Sequence, residues 1–157
     1  SLMKEYTKIV VLRTFSKSFS LAGMRVGLAF ADHELIEGMT KVKDSYNLNR
    51  LSIAAATAAL DDISWMEENV ERVKKTRDAL SVSLTRLGFK VYPSQSNFVL
   101  ASIPGRNLRG IYEELKRGGV LVRYFDAPRL RDCIRITVGT DSEISRFLDA
   151  LQGILEK

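Results

Sequence analysis

The amino-acid sequence predicts an α/β fold, because it combines two buried strands, a long amphipathic helix and a change of pattern after that helix. The runs at 9–12 and 26–31 are continuously apolar and rich in β-branched residues, which is typical of strands buried on both faces, as in a parallel sheet. Between 63 and 87 apolar residues recur at helical spacing, with Arg77 as the one break. After Gly88, short strand patterns alternate with two helical ones, as in an α+β unit.

Two further helices are predicted in the first part of the chain. Asp32 is a suitable N-cap, and the segment after it places apolar residues on one helix face. The segment 46–50 reads as a loop with two asparagines, and the alanine-rich segment 52–60 favours a helix. Two strands and two helices cannot cover both faces of a sheet. The rest of that sheet is therefore expected to be missing from this chain.

The second part of the chain predicts four strands and two helices. The strand patterns lie at 89–92, 97–103, 120–125 and 133–138, and a helix around 108–115 is stopped by Gly118 and Gly119. Thr140 and Glu143 form the pattern of a capping box for the last helix. We place the domain boundary between 64 and 65, which gives segments 1–64 and 65–157 with the helix 63–87 as connector.

Composition excludes several classes of function. The net charge of +5 comes from basic and acidic residues that are scattered, without the basic stripe of a nucleic-acid-binding surface. One cysteine and one histidine allow neither an intrachain disulfide nor a cysteine–histidine metal cluster, and predict a reducing compartment. The longest apolar stretch, Leu51–Leu60, is too short to span a membrane, and residues 1–6 lack the pattern of a signal peptide. We therefore expect a cytoplasmic protein.

The segment 13–27 contains the main candidate functional residues. It is a predicted loop between the two apolar strands, with several hydroxyl groups and one lysine. Its later half adds one arginine and two glycines. Hydroxyls and a guanidinium suit a phosphate, and Gly23 permits close backbone approach. A lysine amine beside such an anion site can bond covalently to a carbonyl cofactor. The alternative is an ordinary solvated lysine; a P-loop and a dinucleotide fingerprint are excluded because their glycine patterns are absent.

The same segment resembles the cofactor-lysine motif of fold-type-I pyridoxal-phosphate-dependent aminotransferases of class I/II, and is similar above all to the histidinol-phosphate aminotransferase group. The matching positions are Thr14, Ser16, Lys17, Gly23 and Arg25. The resemblance implies pyridoxal 5'-phosphate as cofactor, with Lys17 as the catalytic lysine and the hydroxyls and Arg25 on the phosphate. It also implies the C-terminal part of the aspartate aminotransferase-like fold, with 1–64 ending the large domain and 65–157 forming the small one.

Four further residues are candidate substrate ligands. On the strand 133–138, Arg135 points away from the apolar positions beside it, and the resemblance assigns such an arginine to the substrate carboxylate. The resemblance also assigns Arg123 to the substrate phosphate, against the alternative of a surface arginine. Asn47 resembles the asparagine of an active-site loop. Asn97 either lines the cleft or only caps its strand.

The implied function is transamination, with histidinol phosphate as donor and 2-oxoglutarate as acceptor, in a homodimer without metal, nucleic acid or membrane. Family members carry a long upstream region that supplies the acid for the pyridine nitrogen and the ring-stacking aromatic residue, and nothing here matches it. We therefore expect a fragment that is inactive alone. The alternatives are a threonine-phosphate decarboxylase, another class I/II aminotransferase and a non-catalytic module derived from an aminotransferase end.

Overall fold

The computed structural model describes residues 2–156, and the chain divides between Asn69 and Val70 into two compact units. The division falls inside the long helix Ile63–Arg86. In chain order the elements are α1 (Leu2–Glu5), β1 (Val11–Thr14), a 3₁₀ turn (Ala22–Met24), β2 (Gly27–Phe30), α2 (His33–Val42), α3 (Arg50–Asp61), α4 (Ile63–Arg86), β3 (Lys90–Val91), β4 (Phe98–Ser102), α5 (Arg109–Arg117), β5 (Arg123–Tyr124), β6 (Cys133–Thr137) and α6 (Asp141–Leu155).

The two strands of the first unit pair with each other in antiparallel register, with Val11 opposite Phe30 and Thr14 opposite Gly27. The prediction that these strands are buried on both faces is wrong for the described residues, since Leu12 is 67% and Phe30 46% exposed. A continuous apolar run specifies side chains that favour burial. It does not identify the segment that covers them or the direction in which the strand pairs.

A small core holds the first unit together. Phe15, Val26 and Ala56 are buried, and the rings of Phe15 and Phe19 lie 4.7 Å apart. Asp32 caps α2 as predicted, accepting a hydrogen bond from the Glu34 amide. The predicted loop at 46–50 ends one residue earlier, because the Asn49 side chain caps α3. The core therefore connects the loop between β1 and β2 to helix α3.

The second unit is a four-stranded antiparallel sheet in the order β3-β4-β6-β5 with helices on one face. The buried sheet positions that contribute to the apolar core are Val99, Ala101, Ile134 and Ile136. They belong to one core with helical residues, namely Leu80, Leu84, Ile111, Leu115, Ile144, Phe147 and Leu151. Alternation along β4 and β6 gives the opposite face a different set of side chains, among them Phe98 and Arg135.

Helix α4 ends at Arg86, one residue before the predicted end at 87. Gly88 follows it with a φ of +87°, a left-handed conformation that glycine adopts without strain. The Phe89 amide then donates to the Leu84 carbonyl at 3.0 Å and directs the chain into β3. Arg77, the break in the apolar stripe, is only 11% exposed, and its guanidinium donates to the Ser96 carbonyl at 3.4 Å.

Helix α6 begins with the predicted capping box. The Thr140 amide donates to a Glu143 carboxylate oxygen at 2.7 Å, and the Thr140 hydroxyl donates to the same oxygen at 2.8 Å. The Glu143 amide donates to the Thr140 hydroxyl oxygen in return, at 3.4 Å. Both donors of Thr140 stabilise the ionised carboxylate, first the backbone amide and then the hydroxyl, and so lower the pKa of Glu143.

We expect the Glu143 carboxyl to titrate below the usual range of a glutamate in the folded protein. Because folding lowers this pKa, the ionised carboxylate stabilises the fold above the unfolded pKa, and that contribution is lost as the pH falls through the folded pKa. A carboxyl-detected NMR titration measures the shift. Thr140→Ala should return the pKa of Glu143 part of the way, because the backbone donor remains; an unchanged pKa in this variant would contradict the capping-box account.

Candidate functional site

The loop that carries Lys17 is closed by backbone hydrogen bonds. The Phe15 amide donates to the Val26 carbonyl at 3.2 Å, which extends the β1–β2 pairing by one step. The Leu21 amide donates to the Phe15 carbonyl and the Ser20 amide to the Lys17 carbonyl, both at 3.0 Å. The Lys17 side chain is exposed, while Phe15 beside it is buried in the small core. The loop thus has a fixed backbone and an accessible amine.

Two hydroxyl groups lie next to this amine in the chain. The Thr14 hydroxyl donates to the Ser16 hydroxyl oxygen at 3.0 Å, and the Ser16 amide donates to the Thr14 hydroxyl oxygen at 3.1 Å. Thr14 is opposite Gly27, two residues after Arg25. The strand pairing therefore brings the backbone of Arg25 to the same end of the two strands as the hydroxyl pair.

Arg25 adopts a left-handed backbone conformation, with φ 56° and ψ 39°. This conformation costs a non-glycine residue roughly 1–2 kcal/mol, so other contacts must hold it. The Ser52 hydroxyl, on a residue only 1% exposed, donates to the Met24 carbonyl at 2.8 Å. Arg25 itself donates from Nη1 to the Ala22 carbonyl at 3.1 Å. In residues 2–156 no carboxylate pairs with this guanidinium, so it is available to bind an anionic ligand.

The role of Ser52 could not be predicted from the sequence. It lies in the alanine-rich helix α3, on the turn before the buried Ala56, and only the tertiary contact with Met24 distinguishes it from a neutral helix residue. We expect Ser52→Ala to leave the Met24 carbonyl without its partner and to lower the free energy of unfolding by about 1–3 kcal/mol. Chemical denaturation measures the change. Thr57→Ala, which removes only a local bond to Ile53 in the same helix, is the matched control; equal effects of both would contradict the assignment.

Arg135 and Arg123 lie opposite each other on β6 and β5 of the second unit. The Nε atom of Arg135 is buried and makes no hydrogen bond. Its Cζ atom lies 5.1 Å from the ring centre of Phe98 and 6.0 Å from that of Phe125. The Cζ atom of Arg123 lies 5.3 Å from the Phe125 ring centre. No carboxylate of the described chain is within ion-pair distance of either guanidinium, so the two cations form a candidate anion site.

The two candidate asparagines lie in different surroundings. Asn47 is exposed in the first unit, and its side-chain oxygen accepts a hydrogen bond from Lys43 Nζ at 2.9 Å. Asn97 precedes β4 in the second unit. Its carbonyl accepts from the Val138 amide at 2.9 Å and its side-chain oxygen from the Ser96 hydroxyl at 3.3 Å. Asn97 thus continues the β4–β6 pairing through its backbone.

The predicted site residues therefore form two groups. In the first unit, one loop closed by backbone hydrogen bonds carries Thr14, Ser16, Lys17 and Arg25, and in the second unit Arg123 lies opposite Arg135. No three metal-ligating side chains are clustered in the part of the chain that the structure describes. In the same part, no helix combines the length and apolarity needed to cross a membrane. The polar groups present suit an anionic ligand.

Comparison with known proteins identifies the family. Residues 1–151 match the model of the aminotransferase class I and II family. The chain belongs to this family. It is 46% identical over 153 residues to a histidinol-phosphate aminotransferase from Microcystis aeruginosa, a match that covers 98% of this chain and 44% of that protein. The chain thus spans less than half the length of the curated relatives it matches. The family predicted from the lysine motif is confirmed.

Solved structures confirm the predicted fold class. A histidinol-phosphate aminotransferase from Sinorhizobium meliloti, in complex with pyridoxal-5'-phosphate, superposes with a TM-score of 0.85 at 27% identity, over 96% of this chain and 42% of that one. An L-threonine-O-3-phosphate decarboxylase from Porphyromonas gingivalis superposes with a TM-score of 0.85 at 23% identity, over 99% of this chain and 49% of that one. The second likeness shows the aminotransferase fold alone.

Proposed function

We propose that these residues form the C-terminal part of a longer protein that transfers the amino group of histidinol phosphate to 2-oxoglutarate with pyridoxal 5'-phosphate as cofactor. The observation that carries the proposal is a single loop with an exposed Lys17, the hydroxyl pair and Arg25, in a chain of the aminotransferase family. The relatives named histidinol-phosphate aminotransferase support this amino donor. The share of their length that the chain spans supports a longer parent protein.

The donor groups of the first unit fit the cofactor. A phosphate needs several hydrogen-bond donors and a cation, and Thr14, Ser16 and Arg25 supply hydroxyls and a guanidinium without a carboxylate partner within the described chain. An aldehyde needs an accessible amine, and Lys17 supplies it. When bound, pyridoxal 5'-phosphate supplies an electron sink for the charge that develops at the substrate Cα. Lys17 Nζ would remove the proton from the substrate Cα as general base and deliver it to the cofactor carbon as general acid.

The arginines of the second unit would bind the substrate anions. Arg135 offers a planar fork that matches a carboxylate, and Arg123 offers a second cation for the phosphate. Asn47 and Asn97 stay candidate ligands of the substrate, since each has an amide nitrogen besides the oxygen that is already bonded. We propose that the parent protein is a cytoplasmic homodimer, with a small amino donor and a 2-oxo acid as its partners.

The first experiment compares the full-length protein with the isolated chain. We expect the full-length protein to transaminate histidinol phosphate. We expect no turnover by residues 1–157 alone, because the acidic residue that pairs with the pyridine nitrogen of the cofactor is not among them. Equal turnover by both would contradict the expected inactivity of the fragment. A full-length protein that binds the cofactor and transaminates none of the aromatic, acidic or phosphorylated donors would overturn the proposed reaction.

A second candidate function is decarboxylation of threonine phosphate, because the decarboxylase from Porphyromonas gingivalis shares the fold at a TM-score of 0.85. Release of carbon dioxide from threonine phosphate, measured beside glutamate formation from 2-oxoglutarate, separates the two reactions. The third alternative, a non-catalytic module, predicts neither product. The complete set of Thr14, Lys17 and Arg25 favours a catalytic protein over that alternative.

A further inference from the structure

Two phenylalanines flank the arginines of the second unit. We propose that Phe98 and Phe125 are positioning residues, which hold the guanidinium groups of Arg135 and Arg123 ready for a substrate anion in place of acidic partners. This inference rests on the proposed function, and assigns to two aromatic side chains a role in the affinity of the protein for anionic substrates. The contacts of both rings are with the arginines, so both would act through them.

The surroundings of Arg135 lead to this inference. Its Cζ atom lies 5.1 Å from the Phe98 ring centre and 6.0 Å from the Phe125 ring centre, within the range of cation–π attraction. Its Nε atom is buried without a hydrogen bond. Since no carboxylate within the described residues pairs with this guanidinium, the aromatic rings are the groups that define its direction. They restrict the side chain without using any of its N–H donors.

Phe125 has a second role, because Arg123 and Arg135 are directly opposed in the β5–β6 register. Like charges at such positions repel each other. The Cζ atom of Arg123 lies 5.3 Å from the Phe125 ring centre, so one ring attracts both guanidinium groups through its negative face. The ring therefore offsets part of the repulsion that the two cations would otherwise feel in the absence of an anion.

The loop after Phe125 is fixed by ion pairs. The Asp126 carboxylate accepts from Arg109 Nη2 at 2.7 Å and from Arg131 Nε at 2.9 Å. These contacts anchor the residue that follows Phe125, at the point where the chain leaves β5. The Asp126 carboxylate is thus paired with two other arginines, and not with Arg123 or Arg135.

An arginine beside an aromatic ring binds a substrate anion differently from an arginine paired with a carboxylate. A guanidinium that is already paired with a carboxylate must exchange that partner for the substrate anion. A ring attracts the cation and leaves its N–H donors open, so a bidentate contact forms without displacing an anion. Removing the ring should therefore weaken anion binding while the proton transfer by Lys17 proceeds at nearly the same rate.

The test uses Phe125→Leu and Phe98→Leu in the full-length protein. Leucine keeps apolar bulk and removes the π face, while Phe125→Tyr retains it. We expect each leucine variant to raise KM for the 2-oxo acid about five- to tenfold with kcat changed less than about twofold, and Phe125→Tyr to stay close to wild type. Tyr92→Leu removes a ring that attracts Lys90 elsewhere in the unit, and is the matched control.

A binding measurement separates this inference from the proposed function. Calorimetry with succinate, a dicarboxylate, should show binding to the full-length protein that Arg135→Gln abolishes and Phe125→Leu weakens about five- to tenfold. That result supports the inference even if the protein transaminates nothing. Wild-type affinity in both leucine variants, or no Arg135-dependent binding of succinate at all, would overturn it. Far-UV circular dichroism and thermal unfolding identify a misfolded variant, and the other leucine variant then decides the outcome.

Discussion

Lys17→Ala in the full-length protein is expected to lower the rate of transamination by about 10³-fold or more. General acid–base catalysis alone contributes roughly 10²–10⁴-fold to such a reaction, and the covalent attachment of the cofactor is lost with the same amine. The side chain is exposed at a loop whose backbone is fixed by its neighbours, so its removal should leave the fold unchanged. Steady-state kinetics with histidinol phosphate and 2-oxoglutarate measure the effect.

The matched control for this variant is Lys41→Ala, which removes an exposed lysine in α2 of the same unit. Its turnover should equal that of the wild type. A small primary amine added to Lys17→Ala should restore part of the activity, because it can carry the Cα proton in place of the missing side chain. Wild-type turnover in Lys17→Ala would show that another residue transfers the proton.

Arg135→Lys is expected to lower kcat/KM for the 2-oxo acid by about 10²–10³-fold. A lysine keeps the charge and loses the planar fork, so one of two charge-assisted hydrogen bonds disappears and the carboxylate is no longer held in one plane. Hydrogen bonds to charged groups contribute about 1.5–3 kcal/mol each, which corresponds to roughly one to two powers of ten, and misorientation of the substrate adds to the loss.

The control for this variant is Arg106→Lys, at an exposed position of the same unit. It should have the kinetics of the wild type. Cofactor binding by Arg135→Lys, followed by its visible absorbance, should also be unchanged, because the proposed ligands of the cofactor phosphate are Thr14, Ser16 and Arg25. A variant with wild-type kcat/KM would remove Arg135 from the substrate site, and a variant that loses the cofactor would assign it a different role.

Much of the fold could be predicted because its signals are local. Helix α4 shows its apolar spacing within a single segment, and Gly88 ends it for a conformational reason that belongs to the residue itself. The capping box of Thr140 and Glu143 spans four consecutive residues. The surroundings of β1 and β2 could not be predicted in the same way. Their apolar runs indicate side chains that favour burial. The direction of strand pairing depends on residues distant in the sequence.

The same distinction between local and long-range signals applies to the candidate site. The lysine motif is contiguous, so roles for the hydroxyls, the amine and Arg25 could be predicted from their order alone, and these roles stay predictions. Phe98 and Phe125 could not, because their contacts with Arg135 depend on the order and register of β4, β6 and β5. The roles of Asn47 and Asn97, and the assignment of 1–64 and 65–157 to a large and a small domain, stay predictions.

The most direct test of the central claim locates the covalent bond between the cofactor and the protein. The full-length protein is loaded with pyridoxal 5'-phosphate and reduced with borohydride, which makes the bond between the cofactor and its lysine permanent. Peptide mass spectrometry after proteolysis then identifies the modified residue. The account predicts the modification on the peptide that contains Lys17, and its absence from Lys17→Ala. A modification on another lysine, with Lys17 unmodified, would contradict it.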